Sequence, residues 1–286
     1  MDGLRTRRAA LLGGAGVLLA GAGAVADVLP GGPPLRRLLG WTGEDGEIPD
    51  VPAGPVTVER VRSAARGRDI DLVLLRPDAA PTGGLLPVCL ALHGLRGNAR
   101  TFIDMGIAQF LTAATRAGVP PFAVVAADGG PTYYTARDPQ DDPLRMLREE
   151  LPAWLAERGL PAPTGLLGYS MGAFGALRLA RDRTDLRAVA IASPALHETW
   201  SDVEDSPSFR DESQWAANEP LLHTEAIAGV PLGVWCGSED PFVEAARTLI
   251  ARTRPATAAV TRGAHDEGYL LRVFPEMIRF IGARLG

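Results

Sequence analysis

Apolar residues along this chain gather in short continuous runs that alternate with stretches where they recur at helical spacing. The runs at 87–93 (PVCLALH), 122–128, 188–193, 232–236 and 257–261 read as strands, and the unbroken first of them suits a strand buried on both faces of a parallel sheet. Helical spacing marks 107–117, 144–157, 241–253 and a closing stretch that starts at about Pro275. One more helix is marked by Phe174, Leu177 and Leu179, behind the short apolar pair Leu166-Leu167. Ahead of all these, 56–58 and 69–76 flank the turn Arg66-Gly67-Arg68 and predict an antiparallel hairpin. Strands and helices that alternate through short links predict a mostly parallel eight-stranded sheet flanked by helices. One link breaks the rhythm. Residues 195–230 are too many for a strand–helix connection, and a loop of that length in a compact domain is expected to be functional, here as a cap over the site.

The first 55 residues obey another pattern. Arg5-Thr6-Arg7-Arg8 precedes a run from 9 to 26 without a charged side chain, and Ala24-Val25-Ala26 offers a small-x-small cleavage site. This is the layout of a secretion signal, and the arginine pair with Leu11 and Leu12 close behind resembles a twin-arginine export signal. Export is therefore expected, with 1–26 removed. Left uncleaved, the run could just span a bilayer and would be the chain's only membrane contact, although its Gly and Ala content makes a weak span. Residues 27–55 are dense in proline and glycine and read as a tether. The folded domain is expected at 56–286.

Composition narrows the possibilities. With 286 residues, 46% of them apolar and 22% charged, the chain suits one large α/β domain. Its net charge is -5 and its 29 basic residues are scattered, which argues against a nucleic-acid partner. Cys89 and Cys236 fall in different predicted strands and are expected to be free, buried thiols.

The chemistry centres on Gly168-Tyr169-Ser170-Met171-Gly172, which stands where a short strand meets a helix. Small residues on both sides of a serine permit the sharp, strained turn of a nucleophile elbow. The turn would lift the Ser170 hydroxyl above the sheet and aim the Met171 N–H at the oxygen of an attacked carbonyl. The simpler reading is a serine N-cap on a glycine-rich turn. Two residues later in the chain favour the elbow, because a serine nucleophile needs a histidine and the histidine needs a carboxylate. Asp240 comes after the strand at 232–236, and His265 after the last strand, in the order nucleophile, acid, histidine. Each has another reading, Asp240 as an N-cap before Pro241 and His265 as a surface loop residue. Glu239 is the rival acid. The second oxyanion donor is expected from the loop His93-Gly94-Leu95-Arg96, with the Leu95 N–H beside that of Met171.

The segments HGLRGNARTF, DGGPTYY, LREELPAWL, GYSMGAFGALRLA, CGSEDPF and GAHDEGYLLRVFPEMIRFI, taken together, resemble the esterase family that contains esterase D (S-formylglutathione hydrolase), feruloyl esterases and mycobacterial mycolyltransferases. The likeness runs over roughly 88–280. It implies an α/β-hydrolase fold with a cap insertion and a serine acyl-enzyme mechanism without metal or cofactor. It also implies a small-molecule, lipid or sugar ester as substrate, and Ser170, Asp240 and His265 in the triad positions. Gly94-Leu95-Arg96 resembles the transferase oxyanion loop, whose arginine meets the sugar acceptor, so Arg96 is implied as a substrate contact. Tyr133 and Tyr134 become candidates for the acyl pocket, with packing inside the fold as the other reading. His93 and the unmatched cap depart from the transferases, and the expected export argues against a formylglutathione substrate. Besides ester hydrolysis, two readings remain: acyl transfer to a sugar or lipid hydroxyl, and a non-catalytic cell-envelope binding protein.

Overall fold

In a computed structural model that describes residues 40–78 and 85–286, the apolar runs become eight strands. They are β1 (Val56–Ser63), β2 (Arg68–Leu75), β3 (Val88–Leu92), β4 (Ala123–Ala127), β5 (Gly165–Tyr169), β6 (Ala188–Ala192), β7 (Leu232–Gly237) and β8 (Thr257–Thr261). One sheet holds them in the order β1-β2-β4-β3-β5-β6-β7-β8. The β1–β2 and β2–β4 pairs are antiparallel and every later pair is parallel. From β3 the chain steps to β4 on one side and returns to β5 on the other. Such a reversal opens a crevice at the carboxyl ends of the strands, where open α/β sheets bind ligands.

Strand alternation sends neighbouring residues into two cores. Leu90, Leu166, Ile191 and Val234 meet the face covered by α2 (Leu151–Glu157), α3 (Met171–Ala180) and α5 (Val243–Thr253). Cys89, Ala91, Leu167 and Trp235 meet α1 (Ile107–Arg116) and α6 (Glu267–Leu285) on the other. Both faces of the central strands are therefore dry, which explains why their sequences show no polar alternation. Cys89 and Cys236 are free and buried, with β5 and β6 between their strands.

Four expectations are revised. The closing helix starts at Glu267, eight residues before Pro275, with Asp266 as its N-cap accepting from the Tyr269 N–H at 3.0 Å. Pro275 lies inside it, and the anchoring of Phe274, Met277, Ile278 and Ile281 in the core outweighs the lost backbone bond. The stretch expected as a helix at 144–157 holds a π-helical turn, Met146–Glu150, ahead of α2. Pro152 offers no N–H to the Arg148 carbonyl, and the wider turn accommodates that. Residues 43–50 of the expected tether carry no helix or strand, yet they pack on the domain: the Gly46 N–H donates to the Gly268 carbonyl at 2.8 Å and Ile48 covers Gly106. The expected export signal lies outside the described residues.

The fourth revision concerns 195–230, which folds into a short 3-10 turn (Trp200–Asp202), α4 (Glu212–Asn218) and a 3-10 stretch (Pro220–Ile227). Phe209, Trp215, Leu221 and Ile227 sink into the core on the α3 and α5 face. These four apolar residues of the segment are thus spent on packing.

Candidate active site

Ser170 joins β5 to α3 with φ 54° and ψ −126°, a left-handed backbone that costs a non-glycine residue on the order of 1–3 kcal/mol. The turn is possible because a Cβ on Gly168 would overlap the Gly172 carbonyl, and one on Gly172 would overlap the Leu92 carbonyl. The elbow's ends are tied to the end of β6. The Ser170 N–H donates to the Ala192 carbonyl at 3.0 Å, and the Ala195 N–H donates to the Ser170 carbonyl at 3.3 Å.

His265 Nε2 lies 2.9 Å from Ser170 Oγ, and His265 Nδ1 lies 2.9 Å from Asp240 Oδ2. A carboxylate only accepts, so Nδ1 carries the proton and Nε2 presents its lone pair to the serine hydroxyl. Asp240 is 2% exposed, and its Oδ1 accepts from the Phe242 N–H at 2.9 Å. The Phe242 ring stands edge-on to the imidazole, with centroids 5.3 Å apart. Glu239, the rival acid, points elsewhere: Ser238 Oγ donates to it at 3.4 Å, and its N–H bonds the Gly263 carbonyl at 2.8 Å.

Two glycines bring acid and base together across β7 and β8. A Cβ on Gly237 would overlap the Gly263 carbonyl, and one on Gly263 would overlap the Tyr269 ring. The loop that carries His265 is held from behind by Arg272, whose guanidinium donates to the Arg262 carbonyl and, at 2.6 Å, to that of Glu44.

On the other shoulder, Gly94 passes so close to the nucleophile that a Cβ on it would meet Ser170 Cβ at 3.4 Å. This brings the next residue, Leu95, beside Ser170, while Met171 is the first residue of α3, where a helix has N–H groups without intrahelical partners. His93 fixes the shoulder. Its ring is buried, with Nδ1 2.9 Å from the Gly94 carbonyl and Nε2 accepting from the Gly129 N–H at 2.9 Å. Burial pushes its pKa below the ordinary histidine range, so it stays the neutral ring that both bonds need.

A cleft of about 400 Å³ opens at the triad, with Leu95, Met105, Tyr169, Ser193 and Leu270 on its walls. None of the three expected substrate contacts lines it. Arg96 is exposed on the shoulder, with φ 68°. Tyr134 is fully buried, its hydroxyl donating to the His93 carbonyl at 3.3 Å. Tyr133 packs between Phe174 and Phe209, and burial pushes its phenol up to about 12. Packing inside the fold, the other reading of the two tyrosines, is what the structure shows. Residues 195–230 contribute nothing to the walls of the cleft, contrary to the expected cap.

These features agree with a wider comparison. The sequence model of the Esterase family matches residues 63–264, most of the chain, from the end of β1 to the residue before His265. The chain belongs to the Esterase family. This esterase is a hydrolase of carboxylic esters. Among solved structures it is similar to a ferulic acid esterase at 15% identity and TM-score 0.72, covering 82% of this chain and 100% of that one. An S-formylglutathione hydrolase from Agrobacterium tumefaciens matches at 17% identity and TM-score 0.69, covering 83% and 98%. A fluorophosphonate-binding serine hydrolase of Staphylococcus aureus matches at 16% and 0.65, covering 81% and 99%. At such identities the likeness establishes the α/β-hydrolase fold of the esterase and leaves its substrate open. No curated protein matches the sequence.

His93, Phe242 and Ser193 join the site without being predicted as functional from the sequence. A histidine ending an apolar strand before glycine, as in LALHG, signals a loop anchor, whereas Phe242 and Ser193 carry no local signal.

Proposed function

We propose that the esterase cleaves its substrates through an acyl-enzyme on Ser170, with His265 as general base and acid and Asp240 as the group that orients it. The observation that supports this best is the unbroken series Ser170 Oγ, His265 Nε2, His265 Nδ1, Asp240 Oδ2, with 2.9 Å at each contact. His265 takes the hydroxyl proton as Ser170 Oγ attacks the ester carbonyl. The N–H groups of Leu95 and Met171 receive the charge that develops on the carbonyl oxygen. The tetrahedral intermediate collapses as His265 returns the proton to the leaving alcohol. Water then enters, gives a proton to His265 and releases the acid, which restores Ser170.

Hydrolysis is favoured over acyl transfer because the cleft is open: Leu95 at its edge is exposed, and the 195–230 segment leaves the walls uncovered to water. The N-terminal arginine pair supports export by the twin-arginine route as part of the same proposal. Fluorophosphonate labelling with intact-mass detection tests the nucleophile. A single adduct is expected on the native protein and none on Ser170→Ala; an adduct that survives the substitution refutes the assignment. Export is tested by Arg7→Lys with Arg8→Lys, which should keep the precursor in the cytoplasm. p-Nitrophenyl esters of increasing chain length, with and without glycerol, tell hydrolysis from transfer.

A further inference from the structure

Ser193, the residue after β6, combines features that the triad does not use. It lines the cleft that holds Ser170 and His265. Its hydroxyl is buried and has no hydrogen-bond partner among the described residues. Its backbone is left-handed, with φ 47°. A buried hydroxyl without a partner costs roughly 1–3 kcal/mol, and a strained non-glycine backbone costs a similar amount. Neither cost reflects a loose segment, because the Ser193 N–H is fixed to the Trp235 carbonyl at 2.8 Å. With no bond holding its rotamer, the hydroxyl is free to turn toward a group that enters the cleft.

The sheet order says which group that is. β5 carries the nucleophile between β3 and β6. The Leu95 loop comes after β3, so the Leu95 donor stands on one side of Ser170. Ser193 follows β6, and Asp240 and His265 come after β7 and β8, so these stand on the other. The oxygen atom that exchanges protons with His265 must lie on that second side. We propose that the Ser193 hydroxyl hydrogen-bonds this oxygen, holding the leaving alcohol during acylation and the attacking water during deacylation. This rests on the acyl-enzyme reading above. In the second step the water oxygen forms the bond to the acyl carbon as its proton passes to His265. The Ser170 Oγ–carbon bond breaks, and Oγ takes that proton.

Burst kinetics with p-nitrophenyl acetate and alkyl acetates separate the two steps in wild type, Ser193→Ala and Ser193→Gly. Both variants lack the hydroxyl, while only glycine relieves the backbone strain. The expected result is an unchanged burst with the aryl ester, because p-nitrophenolate leaves without a proton. Deacylation should slow about tenfold in both variants, and acylation by alkyl acetates should fall by a similar factor, as for one lost hydrogen bond. Deacylation at the wild-type rate in both variants overturns the proposal, and so does a loss in Ser193→Ala that Ser193→Gly reverses, since that is the mark of strain alone. A folded wild type that gives neither a burst nor a fluorophosphonate adduct refutes the acyl-enzyme reading, and this proposal with it.

Discussion

The two shoulders of Ser170 are built by different means. On the β3 side a buried side chain does the holding, as His93 bridges the Gly94 carbonyl and the Gly129 N–H beneath the Leu95 loop. On the β7–β8 side no buried polar bridge is used: glycines at 237 and 263 let two loops touch, and the Arg272 guanidinium donates near the surface to carbonyls behind His265. A buried polar bridge leaves two unsatisfied groups when it is cut, and each costs roughly 1–3 kcal/mol. Carbonyls near the surface turn to water instead. The oxyanion shoulder should therefore be brittle toward loss of its one buried side chain, and the acid–base shoulder tolerant apart from the residues that react and the two glycines.

The largest effect expected falls on one of those residues. Asp240→Asn would favour the wrong histidine tautomer and should lower kcat by about 10³–10⁴-fold. Circular dichroism should remain that of the native protein. Glu239→Gln, one position earlier, should stay within a few fold of wild type. The reverse ranking in a p-nitrophenyl acetate assay would move the acid to Glu239.

His93 comes next. His93→Phe keeps the packing but leaves the Gly94 carbonyl and the Gly129 N–H unpaired. Stability to urea should drop by roughly 2–6 kcal/mol from the two buried groups. If the protein survives that loss, kcat should fall about 100-fold, as when one oxyanion donor is misplaced. Wild-type turnover in a folded His93→Phe protein would show that the Leu95 loop needs no anchor. Arg272→Ala should do less. Its acceptors lie near solvent, so kcat should fall by a few fold with KM steady, and Tm by about 2–4 °C for each kcal/mol lost in a domain of this size. A loss approaching that of His93→Phe would erase the contrast between the shoulders.

The same contrast explains what can be read from the sequence. Runs such as 87–93 and 232–236 declare buried strands because both faces are dry, and the elbow declares itself because only glycine fits between strand and helix, with the Leu92 carbonyl against Gly172. Asp240 and His265 are legible through chain order, since the fold sets where strand ends meet. The closing helix reads too short because Pro275 looks like a start, while the actual start is capped by Asp266 immediately after His265. Segment 195–230 misleads for a deeper reason. Whether Phe209 and Trp215 face a cleft or a core depends on Phe174 and Tyr133, which lie far away in the chain, and no local period records that choice. Tyr133 and Tyr134 look like cleft residues for the same reason.

The smallest effect on turnover, and the one that tests the insertion by itself, comes from Glu219. This residue is fully buried, with the carboxyl accepting from the His197 N–H at 3.3 Å and the Leu221 N–H at 3.2 Å. Burial raises its pKa from 4.5 to about 8, despite those two bonds. Below about pH 4.5 folded and unfolded chains both hold the proton. Between there and about pH 8 the folded chain alone holds it, so stability should fall as pH rises through this window and level off above it. At about 1.4 kcal/mol per unit the fall is at most a few kcal/mol. Glu219→Gln keeps an oxygen for one of the two N–H groups, as the protonated acid keeps one carbonyl oxygen, and cannot ionise. Its unfolding free energy should therefore lose this slope, so that the variant gains on the wild type from pH 5 to 8 while kcat stays the same. Parallel curves for the two proteins would mean that Glu219 reaches solvent or a cation at neutral pH. The insertion would then be looser than its packing on Phe174 implies.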